Sequence, residues 1–200
     1  MGLATYSELK SAVAKWLDHD DLPDIGDFIT LAEAQINRDV RHRKSVTSAE
    51  LDISTRFVDL PADHLATIRL DCNGNRLTLA SVEEMASRRY TGIGAGQPCL
   101  YAPLGTQIEL WPDPDGAYTG TMQYTATLPA LSDVAPSNWL LTTAPDVYLY
   151  GTLLQSAPFL MEDARGTTWA GLYAAAVTNL NKTDEIGRYG GATVIRPRAR

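Results

Sequence analysis

The sequence predicts an α+β protein: a four-helix bundle formed by the N- and C-terminal helices, an inserted antiparallel β-rich domain, and an extended C-terminal arm. Three observations predict it. The long helical patterns lie at the two ends of the chain, 1–44 and 142–185. The middle, 45–141, carries short β-branched and aromatic runs separated by Pro, Gly and Asn turns. Beyond Lys182 apolar periodicity is lost, and 186–200 holds four arginines and no acid, which reads as a flexible basic arm.

Each element follows from its residues. Thr5 and Glu8 have capping-box spacing, and Leu9, Ala12, Val13, Trp16 and Leu17 line one face of a helix over 6–17. A second helix is expected from Pro23, at home in a first turn, to Arg43. Its stripe is Ile25, Phe28, Ile29, Ala32, Ile36 and Val40, with acids at its start and bases at its end. Strands are expected at 46–53, 57–60, 67–72, 76–79, 100–104, 107–111 and 119–126, with a hairpin turn at Asn73–Asn75. A short helix over 81–90 interrupts them. Thr143, Pro145 and Asp146 announce another helix, lined by Val147, Tyr150, Leu153, Leu154 and Ala157 and ended or kinked at Pro158. The last helix starts after Asp163, with Trp169, Leu172, Tyr173, Ala176 and Leu180 as its stripe.

Composition narrows the function. With 200 residues, 44% hydrophobic and 20% charged, the chain has the make-up of an ordinary soluble globular protein. No stretch approaches the ~20 apolar residues of a membrane span, and the N-terminus lacks a basic region followed by an apolar run, so a cytoplasmic setting is expected. Cys72 and Cys99 stand outside any metal spacing and read as free thiols. Net charge is −7, unevenly placed: 186–200 holds four of the 17 basic residues, so the preceding 185 carry 13 bases against 24 acids. An acidic body disfavours general nucleic-acid binding.

The stretch RRYTGIGAGQP, 88–98, has the look of a phosphate loop. A dinucleotide fingerprint needs its glycines after a strand and before a helix. Here Gly92, Gly94 and Gly96 follow a helix and lead to a proline and a strand, and no Walker lysine follows. They read as a bending connector. The acidic DHDD, 18–21, places His19 beside carboxylates, but adjacent loop residues rarely converge on a metal and a solvated turn is the reading adopted. His42 and His64 have no nucleophile context. No catalytic residue, metal site or cofactor is expected. The arm leaves three readings open: docking on an acidic protein surface, nucleic-acid contact, or a disordered tail.

The succession of FITLAEAQINRDVR (28–41), DLPADHLATIRL (59–70), GQPCLYAPLGTQIELWPDPDGAYTGTMQYTATLPALS (96–132), NWLLTTAPDVYLYGTLLQSAPFLMED (138–163) and WAGLYAAAVTNLN (169–181) resembles the tailed-phage head–tail adaptors, those similar to podophage tail tubular protein A. The resemblance covers nearly the whole chain through soft motifs. It implies a structural virion protein of the head–tail neck, assembled in the host cytoplasm. It implies a ring under the dodecameric portal that joins it to the tail tube or nozzle. It brings no catalytic or cofactor residues. An isolated copy is expected to be a monomer, since ring contacts need the portal as a template, and DNA would pass transiently through the channel.

Family members carry a C-terminal extension along the portal, which places portal-binding residues at Arg188, Tyr189, Ile195, Arg196, Arg198 and Arg200. Gly92, Gly94 and Gly96 then belong to a loop at a subunit or tail contact. The competing reading is a tail-associated module, a fibre adaptor or surface-recognition protein. Exposed Trp111, Tyr118 and Tyr124 would favour it, although alternating strand positions also suit a core.

Overall fold

The computed structural model describes residues 2–18, 25–90, 92, 94–160 and 163–189. Among them are six α-helices and two four-stranded sheets. The chain divides into a helical unit, residues 1–44 and 128–200, and a β unit, residues 45–127.

The helical unit begins with α1 (Tyr6–Leu17), whose capping box forms as expected: the Thr5 hydroxyl accepts the Glu8 N–H and the Glu8 carboxylate accepts the Thr5 N–H. α2 (Ile25–Asp39) buries every apolar residue of its predicted stripe. It ends four residues before Arg43, because residues 43–45 tighten into a 3₁₀ turn. Pro23 and His19 lie outside the described residues. α4 (Trp139–Thr143) is one short turn, so Thr143 closes a helix and does not cap the next one. α5 (Pro145–Leu160) starts on the expected proline and continues two residues past Pro158.

α5 departs from the one-faced stripe. Tyr148, Leu149, Gly151, Thr152 and Ser156 are buried along with Val147, Leu153 and Ala157. Such a helix is covered nearly all round because α1, α2, α4 and the last helix, α6 (Asp163–Tyr189), all pack on it. Gly151 permits the closest approach: a Cβ there would lie 3.3 Å from the Tyr173 ring and 3.5 Å from Ala32.

α6 (Asp163–Tyr189) is longer than its apolar pattern suggests. The helix does not stop near Lys182, and 186–189 are helical where an arm was expected. Polar contacts described below hold this end in place of an apolar stripe.

The β unit runs from Ser45 to Thr127. Residues 128–141, expected in the insert, belong to the helical unit, where Leu128, Leu131, Leu140 and Leu141 join the core. One sheet has the order β1 (Val46–Ile53), β8 (Tyr118–Ala126), β3 (His64–Cys72), β4 (Asn75–Arg76), all antiparallel. The other runs β2 (Phe57–Asp59), β7 (Gln107–Trp111), β6 (Leu100–Leu104), β5 (Thr78–Leu79). Its β5–β6 pair is parallel, an exception to the antiparallel expectation, because α3 (Val82–Tyr90) and the glycine loop form a crossover between the two strands. Asn73 and Gly74 both have positive φ, 49° and 82°, as a two-residue hairpin turn requires. Leu51, Ile53, Leu70, Ile108, Leu110, Met122 and Tyr124 fill the space enclosed by the strands. A smaller cluster of Ala80, Met85, Ala102 and Trp111 seats α3.

Gly120 faces this core, where an added Cβ would lie 2.6 Å from Ile53 Cδ1. Gly120→Ala should cost about 1–3 kcal/mol in urea denaturation. Ile53→Val removes that methyl, so in its background the added cost should fall below about 1 kcal/mol. Equal costs in both backgrounds would rule the Ile53 contact out as the cause.

Candidate functional site

Of the expected portal-binding residues, Arg188 and Tyr189 form the last two positions of α6. Ile195, Arg196, Arg198 and Arg200 lie outside the described residues.

The C-terminal end of α6 is held by polar contacts. Tyr173, Asn181, Asp184 and Gly187 recur at helical spacing on one face of α6. The Tyr173 hydroxyl donates to Asp39 at 3.0 Å, and burial pushes its pKa up, so it remains a protonated donor. The Asn181 amide bridges two backbone groups: it donates to Asp39 O at 3.3 Å and accepts the Arg41 N–H at 3.0 Å. The Asp184 carboxylate, only 2% exposed, accepts the Arg43 N–H at 3.1 Å. Its other oxygen is 3.5 Å from His42 Nε2 and 3.4 Å from Arg43 Nε. His42 stacks on Trp139 with centroids 5.0 Å apart, and its Nδ1 accepts the Lys44 N–H at 3.1 Å. An acceptor Nδ1 leaves the ring proton on Nε2, facing the carboxylate. His42 is therefore packed and bonded as a structural group.

The glycine loop has the order expected, following α3 and preceding β6. Gly92 has φ +74°, open to glycine at little cost. The Gly96 N–H donates to Asp113 O at 2.8 Å, and the Gln97 amide donates to Cys72 O at 3.0 Å. At the loop's start Arg89 bonds Glu109 and Asp113, both at 2.9 Å, and Leu110 O at 3.0 Å. Burial works against the Arg89 charge, but these carboxylates outweigh it and raise its pKa. Arg56 gives the buried Glu109 a second cation at 2.6 Å. A cavity of about 270 Å³ lies between Arg89, Gly94, Ala95, Trp111 and Asp113. Among the described residues its one arginine is committed to carboxylates and no helix begins at the loop, so the geometry does not suit a phosphate. The loop is pinned at both ends and open at Gly92 and Gly94, where an added Cβ would meet nothing.

The aromatic residues that would mark a surface-recognition module are largely core: Trp111 and Tyr124 are buried, and Tyr118 packs half-buried against the strand interior. His64 bonds Thr67 at 2.9 Å, and burial lowers its pKa. Cys72 is buried and Cys99 exposed, both free. Among the described residues no cluster of three His, Cys, Asp or Glu is placed to hold a metal, and no helix is long and apolar enough to cross a membrane.

Two networks were not anticipated. Glu33 takes a bond from Leu131 N and one from the Tyr148 hydroxyl, and Arg56, Arg89 and Glu109 form the ion cluster above. Glu33 had a visible signal, a carboxylate inside the apolar stripe between Ala32 and Ile36. Glu109 likewise stands between Ile108 and Leu110 in a strand whose other face carries α3.

A search of curated proteins returns no match. The family model described as SU10 adaptor protein matches residues 4–197, across both units and the whole of α6. The chain belongs to the SU10 adaptor protein family, a family of phage head–tail adaptors and so of structural virion proteins.

Proposed function

We propose that this adaptor is a head-to-tail connector that forms a dodecameric ring beneath the portal and links it to the tail tube or nozzle. The match over 4–197 carries the reading, because it spans both units and reaches into the basic C-terminal segment. The arm beyond Tyr189 anchors the ring to an acidic surface of the portal, with Arg196, Arg198 and Arg200 as charge-assisted contacts and Ile195 as an apolar one. Arg188 and Tyr189 are where the helix hands over to that arm. The glycine loop at Gly92, Gly94 and Gly96 is an adaptable contact for a neighbouring copy or the tail. The acidic body repels DNA phosphates, so DNA passes the channel without sticking.

Native mass of the purified protein, alone and mixed with the portal from the same genome, tests the reading. A monomer that becomes a portal-bound, ring-sized complex is the expected result. A protein that ignores the portal at every salt concentration would overturn it and favour a tail-associated binding module.

A further inference from the structure

The contacts at the end of α6 converge on one short stretch of chain. Asp39 to Lys44 is the passage by which the backbone leaves α2 and reaches the β unit at Ser45. Helix α2 ends at Asp39, and of the N–H groups that follow, Val40 reaches back to Ile36 O and Lys44 to His42 Nδ1. α6 supplies acceptors for those of Arg41 and Arg43. Asn181 takes the Arg41 N–H and covers the Asp39 carbonyl, and Asp184 takes the Arg43 N–H. His42, between the two bonded amides, is buried with Asp184 on one side and the Trp139 ring on another. Gly187 completes the arrangement: a Cβ there would lie 2.6 Å from Arg43 Nη1, so the guanidinium lies across the helix where no side chain stands.

We infer that the last turns of α6 are a latch on the 39–44 passage, so that order in the C-terminal helix and order in the passage are linked. The Arg41 and Arg43 amides take side-chain acceptors from α6, and among its described side chains α6 has no buried apolar residue beyond Leu180. Each therefore depends on the other for its local stability, and linkage of this kind is reciprocal. The consequence for the adaptor rests on the reading above: a partner gripping the residues after Tyr189 would stiffen the lead-in to the β unit.

Hydrogen exchange on the full-length protein without any partner tests the latch, so its outcome is independent of portal binding. Asn181→Ala and Asp184→Ala should each speed exchange at the Arg41 and Arg43 amides by about tenfold. Amides of α5 and β8 should keep the wild-type rate. Gly187→Ala, which displaces Arg43 but leaves both acceptors, should have a smaller effect of the same sign. Reciprocally, His42→Ala should speed exchange over 181–187. Passage amides that exchange at the wild-type rate in both Asn181→Ala and Asp184→Ala would overturn the inference. So would a uniform rise that includes α5, since the contacts would then serve the whole unit and not the passage.

Discussion

Glu33→Ala should cost the helical unit about 3 kcal/mol, while Glu33→Gln should cost little or nothing at neutral pH. Glu33 is 6% exposed, and one carboxylate oxygen accepts the Leu131 N–H at 2.8 Å and the Tyr148 hydroxyl at 3.2 Å. Alanine removes the acceptor for both donors and leaves a void among helices. Asn138 does not rescue Tyr148, because its amide donates to that hydroxyl and leaves the tyrosine proton without a new acceptor. Glutamine keeps a carbonyl oxygen in place and removes the charge. Burial is the largest influence on Glu33 and raises its pKa, against the opposing bonds from Leu131 and Tyr148.

The sign of the pH effect follows. The native state holds the Glu33 proton more tightly than the unfolded chain, so its contribution is full below the ordinary carboxylate range. It is lost as pH rises through the raised native value. Wild type should therefore lose stability relative to Glu33→Gln across that window and converge with it in acid. Denaturant titrations at neutral and acidic pH measure both effects. Alanine no worse than glutamine, or a wild-type-to-glutamine difference that ignores pH, would remove Glu33 as the cause.

The same residue shows where a sequence is legible. The stripe of α2 was readable because six apolar side chains at helical spacing all need one buried surface, and each is buried. The strands β1, β6 and β7 have the expected limits, because the turns that bound them impose their own backbone angles. The span 128–141 packs with the helical unit for a physical reason that its residue pattern does not display. Its path is set by tertiary bonds, Leu128 N to Asn37, Leu131 N to Glu33 and Asn138 to Pro129 O, which leave no periodic trace. The end of α6 is hidden from the sequence in the same way. Apolar periodicity reports burial against greasy neighbours, whereas the half-buried Asn181 and the buried Asp184 are held by bonding backbone instead. The residues proposed to face the portal rest on resemblance and on a charge imbalance, not on any pattern that fixes a fold.

Ending the chain after Tyr189 should abolish capture by the portal while leaving the melting temperature within about 2 °C of wild type. The position of the cut matters. A truncation from Ile186 would remove Gly187 from beside Arg43 and the last turn of α6, confounding loss of the arm with damage to the helix end. A stop after Tyr189 keeps every contact described for α6 and removes Ile195, Arg196, Arg198 and Arg200 together. The expected loss is large because the proposed ring would multiply it: each bound arm would raise the effective concentration of its neighbours, turning weak single contacts into collective affinity of about 100-fold or more. Replacing Arg196, Arg198 and Arg200 by alanine should reproduce most of the loss, and added salt should mimic it, since exposed charge pairs are screened. Portal binding that survives the truncation would assign anchoring to the body of the protein. Retention of DNA by wild type but not by the truncated chain, with portal binding intact, would assign the arginines to phosphate instead.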